Sequence, residues 1–69
     1  MMITDAKITA TIIELLEHGL VAHTIHQLAK AVSNILGTGV TTRRVTSALN
    51  RNRHRITFQS GQFELIIKF

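Results

Sequence analysis

The sequence predicts one small α+β domain, in which three helices and a short strand precede a β-hairpin at the C-terminal end. Apolar residues recur every three or four positions as far as residue 52, which is the spacing of amphipathic helices. From Arg55 onward apolar and polar residues alternate, which is the spacing of β-strands. The chain has 69 residues, 45% of them hydrophobic, which suits a single modest core.

The first helix is predicted over residues 5–18. Its apolar residues keep helical spacing: Ile8, Ile12, Leu15 and Leu16. Thr4 or Asp5 can cap the start of this helix, and Gly19 can end it. The apolar stretch 20–22 is too short for a helix, and we expect it to be a brief strand.

The second helix is predicted from a capping box at residues 24–27. In such a box the Thr24 hydroxyl accepts a hydrogen bond from the Gln27 amide, and the Gln27 side chain reaches back. An apolar stripe follows as far as Leu36, and Gly37 is a typical residue to end a helix.

The third helix is predicted over residues 42 to about 52, with Thr41 as its N-cap. Its apolar stripe is narrow and consists of Val45, Ala48 and Leu49. The stretch 41–55 carries five of the eight basic residues of the chain and no acidic residue. One edge of this helix is therefore expected on the core, and the rest carries positive charge.

The hairpin is predicted to turn at Ser60 and Gly61. The facing pairs in that register are Ile56–Leu65, Thr57–Glu64 and Phe58–Phe63. Apolar residues then face apolar ones and polar residues face polar ones, which fixes the register. Because a two-stranded hairpin is weak alone, we expect residues 20–22 to pair with 63–68 as a third strand. The predicted order is helix, strand, helix, helix, strand, strand, with antiparallel pairing.

The charge balance favours an anionic partner. Eight basic residues against four acidic ones give a formal net charge of +4, which suits nucleic acid, an anionic membrane surface or an acidic protein. No apolar run approaches the roughly 20 residues of a membrane-spanning helix, and the N-terminal residues do not follow the pattern of a secretory signal. We therefore expect a soluble intracellular protein of the cytoplasm, nucleoid or nucleus.

Catalytic and metal chemistry are disfavoured by the residue types present. The chain has no cysteine, which excludes disulfides and thiolate ligands. The histidines His18, His23, His26 and His54 lack the set of four placed ligands that zinc usually takes. The chain also has no glycine-rich phosphate loop with its lysine. We expect no enzyme activity, no cofactor and no bound metal.

Three segments follow one another in the order of a known DNA-binding domain: TIHQLAKAV, TTRRVTSALNRN and the hairpin RITFQSGQFELIIKF. In this order of elements the chain resembles the winged helix–turn–helix family, over nearly all of residues 1–69 as a single domain. The resemblance implies that the third helix lies in the major groove of duplex DNA. It further implies a small DNA-binding protein that acts as a transcriptional regulator or a DNA-associated accessory factor.

The resemblance also implies which residues contact DNA. With the apolar stripe on the core, the opposite side of the third helix carries Arg43, Ser47 and Asn50, with Thr46 on one flank. Arginine can bind guanine and asparagine can bind adenine through paired hydrogen bonds, so these four residues are the candidates for base reading. The candidates for phosphate contact are Lys30, Arg44, Arg51, Arg53 and Arg55. The hairpin tip, residues 59–62, is uncharged and is a poor probe of the minor groove.

The main alternative is a protein-docking module of the same fold, because fold does not determine function. In that case Ile66 and Phe69 of the C-terminal hairpin would contact a second copy of the chain or another protein. RNA binding is a weaker alternative, since no aromatic side chain is expected to be free for base stacking. A membrane-surface role is disfavoured because no helix pairs a broad apolar face with a basic face.

Overall fold

The computed structural model describes residues 3–66, which form three helices followed by a two-stranded antiparallel sheet. The elements are α1 (Asp5–Glu17), α2 (Ile25–Leu36), α3 (Thr42–Arg51), β1 (Ile56–Gln59) and β2 (Gln62–Leu65). The predicted α+β class is confirmed, and each helix begins and ends within one residue of its predicted position.

Each helix begins at a threonine cap. The hydroxyl oxygens of Thr4, Thr24 and Thr41 each accept a hydrogen bond from the amide three residues later, at 3.1–3.2 Å. These bonds satisfy donors that the first turn of a helix otherwise leaves free. At the start of α2 the Gln27 side chain reaches back, and its Oε1 accepts a hydrogen bond from the His23 amide at 2.7 Å. Hydrogen bonds therefore fix the backbone both before and after the Thr24 cap, where the chain enters α2.

The core lies where the three helices meet and is closed on one side by Ile56 of β1. Its largest fully buried side chains are Ile8, Ile12, Leu28, Val32 and Val45. Thr11 is buried among them, and its hydroxyl donates to the Lys7 carbonyl at 2.8 Å, so the buried group is satisfied. The apolar stripes predicted for all three helices thus face a shared core.

Ser33 fixes the turn between α2 and α3. Its hydroxyl donates to the Ala29 carbonyl at 2.8 Å and accepts a hydrogen bond from the Val40 amide at 2.9 Å. The helix α2 ends at Gly37, whose φ of 70° lies in the left-handed region that glycine adopts without steric cost. Val40 is then buried against the core, and α3 begins two residues later.

The hairpin has the predicted register, with β1 paired to β2 through all three of the expected pairs. The ladder continues one step beyond the strands, since the Ile66 amide donates to the Arg55 carbonyl at 2.7 Å. The turn residues Ser60 and Gly61 both have positive φ, 56° and 79°, as a two-residue type I′ turn requires. The predicted turn position is therefore confirmed.

The brief strand predicted at residues 20–22 is not present, because the neighbouring helices use the first amide of the stretch and the amide that follows it. The Leu20 amide closes the end of α1 on the Leu15 carbonyl, at 3.0 Å, and the next amide after the stretch, that of His23, belongs to the cap of α2. One backbone bond remains, from the Phe63 amide to the Ala22 carbonyl at 3.0 Å. A single bond joins the stretch to β2 without forming a ladder. Residues 67–68 of the predicted partner strand lie outside the described residues.

Ser60→Asn is expected to stabilise the protein. Ser60 holds a φ of 56°, a left-handed conformation that is unfavourable for most residues and that asparagine adopts more readily. We expect the free energy of unfolding to rise by about 0.5 kcal/mol, measured by urea denaturation. Ser60→Val is the opposing control, because a β-branched residue resists positive φ and should destabilise the turn. Equal stabilities of the two variants would contradict the type I′ assignment.

Candidate nucleic-acid interface

The helix α3 divides into a buried side and an exposed side. Val45 and Ala48 have relative exposures of 0% and 1%, so this side is seated on the core. Arg43, Ser47 and Asn50 are exposed on the opposite side, where the helical spacing places them. The structure therefore brings three of the predicted base-reading residues together on one solvent-facing surface.

Thr46 and Asn50 form the flank of this surface that faces the hairpin. The Thr46 hydroxyl donates to the Thr42 carbonyl at 2.8 Å, which leaves its oxygen free to accept. The Asn50 Oδ1 accepts a hydrogen bond from Nη2 of Arg53 at 3.2 Å. Arg53 thereby lies next to the base-reading candidates, while the Asn50 amide group keeps its two N–H donors.

Two of the predicted phosphate contacts are turned towards the start of α1. The Asp5 carboxylate lies 3.5 Å from Nη2 of Arg44 and accepts a hydrogen bond from Nη1 of Arg51 at 3.0 Å. Arg44 also donates to the Ile3 carbonyl. Asp5 stands in the first turn of α1, where the helix dipole favours a negative charge. One carboxylate thus partly neutralises two arginines on this flank of α3.

The remaining phosphate candidates occupy other places. Lys30 is exposed on α2 and points away from the buried stripe of that helix. Arg55 is exposed after α3, and it lines an open hollow of about 690 Å³ together with Glu14 and Glu17 of α1. The five predicted phosphate residues therefore do not form one patch. Arg53 is the member that adjoins the base-reading side of α3.

A groove between α3 and the hairpin is the feature that sequence reasoning missed. It has a volume of about 220 Å³, and one of its walls carries the ring of Phe58, which is 55% exposed. The prediction that no aromatic side chain is free for stacking is therefore wrong at Phe58. The alternation of apolar and polar residues predicts the face of the hairpin on which Phe58 lies, but it does not predict that Ile56 is the last buried residue of β1. The available signal was the position of Phe58, only two residues before the turn.

The other predicted contacts lie at the end of the hairpin and among the histidines. Ile66 is 38% exposed, and Phe69 lies outside the described residues. The ring Nδ1 of His23 lies 2.9 Å from the Gly61 carbonyl oxygen, which ties the turn of the hairpin to the start of α2. Residues 3–66 contain no group of three or more metal-ligating side chains, and none of their helices has the length and apolar character that crossing a bilayer requires.

A scan against protein-family models and searches of curated proteins and of solved structures find no match to this chain. A functional assignment therefore depends on the chain's own residues. The residues most relevant to function lie on the exposed side of α3 and in the groove between α3 and the hairpin.

Proposed function

We propose that this chain is a small DNA-binding protein that places α3 in the major groove of duplex DNA, as the recognition helix of a winged helix–turn–helix domain. The observation that supports this proposal most is the division of α3. A fully buried Val45 seats the helix, while Arg43, Ser47 and Asn50 project together into solvent. Ser33 fixes the turn before α3, so the exposed side chains have a defined orientation.

The charge of the exposed side is suited to DNA. No acidic residue occurs between residues 41 and 55, and the ion pairs within residues 3–66 both involve Asp5, so Arg43 and Arg53 keep their charge available. Arg43 can bind guanine and Asn50 can bind adenine through paired hydrogen bonds in the major groove. Arg53 is placed to contact a phosphate beside them. A regulator of transcription or a DNA-associated accessory factor would use such a surface.

Arg43→Ala is expected to weaken binding to duplex DNA about tenfold or more, since a well-placed arginine contributes roughly 1–3 kcal/mol to base recognition. Binding of the full chain to a pool of duplex sequences should be measured at two salt concentrations. Wild-type affinity should fall steeply as salt rises, because phosphate contacts release counterions. Sequencing the bound pool before and after the substitution would show whether a preference at one base is lost.

Lys7→Ala is the matched control for Arg43→Ala. It removes the same charge, but Lys7 lies on the flank of α1 opposite Thr9, which hydrogen-bonds to Asn52 at the end of α3 at 3.1 Å. A non-specific charge effect would weaken binding equally in the two variants. Equal loss would contradict a recognition role for α3, and no binding at low salt would contradict DNA binding altogether.

A second candidate function is protein docking through the C-terminal hairpin. The exposed apolar side chain of Ile66, next to the last described strand, favours it. Such an interface tolerates salt and is indifferent to Arg43, because apolar burial and not phosphate contact drives it. Absence of DNA binding together with salt-tolerant self-association, lost on Ile66→Ser, would favour this candidate over the first.

A further inference from the structure

We propose that the groove between α3 and the hairpin takes an unpaired nucleobase of a DNA strand. The protein would then bind duplexes with a single-stranded extension more tightly than fully paired ones. This inference rests on the proposed function and names the form of DNA that the protein prefers. It is carried by an exposed aromatic ring, by the polar groups opposite it and by the size of the groove.

The ring of Phe58 is exposed but held in place. It meets Phe63 edge to face, with ring centroids 4.9 Å apart and an angle of 64° between the planes. The two residues form a pair that is not joined by backbone hydrogen bonds, the position at which cross-strand side chains approach most closely. The Phe63 amide is therefore free to bond the Ala22 carbonyl, which anchors the pair. A positioned ring that is 55% exposed can stack on a base.

The opposite side of the groove supplies polar groups. Asn50 and Arg53 line it, and their mutual hydrogen bond of 3.2 Å uses one acceptor and one donor. Asn50 is assigned to a base of the duplex, and the remaining guanidinium donors of Arg53 stay available for the edge of an unpaired base and for the adjoining phosphate. The rest of the groove is lined mainly by apolar side chains, among them Ile25 and Leu49, so a ligand that fits it needs an apolar face as well as polar atoms for these donors. A nucleotide satisfies them and also presents a flat ring to Phe58.

The size of the groove also favours a single base. Its volume is about 220 Å³, below the roughly 300–1,000 Å³ of pockets that hold drug-sized molecules. The groove lies beside Asn50 on the exposed side of α3, so an unpaired base could enter it next to a duplex held by that helix.

The test compares the affinities of the full chain for three DNA probes built on one duplex. The first probe is blunt, the second has an extension of unpaired nucleotides, and the third has an abasic extension with the same number of phosphates. We expect the base-bearing extension to be bound about fivefold to 150-fold more tightly than the abasic one, as stacking on an aromatic residue implies. The abasic probe separates stacking from added charge.

Two variants at Phe58 test the role of its ring. The readout is the affinity for the base-bearing extension divided by the affinity for the abasic extension. Phe58→Leu keeps an apolar side chain but removes the aromatic face, so the ratio should fall close to one. Phe58→Trp offers a larger face, so the ratio should be kept or increased. Circular dichroism of both variants checks that the fold is retained.

The outcomes separate this inference from the proposed function. Equal affinity of the wild-type protein for the two extensions, with Arg43-dependent binding of the blunt duplex, would overturn the inference and leave the proposed function standing. No binding to any probe at low salt would overturn both. Tighter binding to an RNA extension than to the DNA one would overturn the assignment of DNA as the ligand.

Discussion

Leu28→Ala is expected to lower the free energy of unfolding by about 2–5 kcal/mol, the usual cost of deleting a fully buried leucine side chain. Leu28 has no exposed surface and contributes one of the largest side chains of the core. At about 0.05–0.15 kcal/mol per residue, a domain of this length has a total of only roughly 3–10 kcal/mol. The substitution therefore removes a large part of the stability, and we expect a markedly lower midpoint in urea denaturation.

Ile35→Ala is the matched control because it shortens an aliphatic side chain on the same helix. The Ile35 side chain is 60% exposed, so its truncation creates no cavity in the core. We expect a change in unfolding free energy of no more than about 0.5 kcal/mol. Comparable losses for the two substitutions would contradict the orientation of α2 described above.

Asp5→Asn is expected to strengthen binding to duplex DNA. Removing the carboxylate releases Arg44 and Arg51 from their ion pairs and changes the formal net charge from +4 to +5. If both arginines then contact phosphates, affinity at low salt should rise roughly tenfold. The slope of the logarithm of affinity against the logarithm of salt concentration should steepen by up to about two. The fold should lose little, since the Arg44 and Arg51 side chains are 42% and 71% exposed and such pairs contribute about 0–1 kcal/mol.

Glu64→Gln is the control for Asp5→Asn. It makes the same change in net charge, but Glu64 lies on β2 and holds no arginine in an ion pair within residues 3–66. Its Oε1 accepts a hydrogen bond from Nε2 of Gln62, which a glutamine Oε1 can also accept. Affinity measured by a salt titration should rise much less than for Asp5→Asn. If the two variants bind equally well, the Asp5 ion pairs do not limit contact with DNA.

Features that depend on neighbouring residues were predictable from the sequence. The three threonine caps are such features, because the hydroxyl and the amide that it bonds are only three residues apart. The hairpin register is another. Two positive-φ residues must occupy the turn, and placing it at Ser60 and Gly61 makes Ile56 face Leu65. The exposed side of α3 followed from helical spacing once Val45 was assigned to the core.

Features that depend on how the elements pack were not predictable. The Asp5 carboxylate meets Arg44 and Arg51 only because α1 and α3 lie side by side, and the sequence pattern contains no signal for that pairing. The failure at residues 20–22 has a similar cause, since the end of α1 takes the Leu20 amide and the cap of α2 takes the His23 amide, which follows the stretch. The exposure of Phe58 depends on how far the hairpin extends beyond the helices, which alternation does not specify.

The way the hairpin is attached has a consequence for cooperativity. Among its described residues only Ile56 is buried, while Phe63 and Leu65 are partly buried against the core. One polar contact at Phe63 and one at Gly61 tie β2 and the turn to the chain before α2. Segments with few buried contacts open at a lower free-energy cost than the global unfolding of a protein. We therefore expect the hairpin to open at a lower free-energy cost than the three helices. The groove beside α3 has one wall on that helix and one on the hairpin, so we expect its width to change when the hairpin opens.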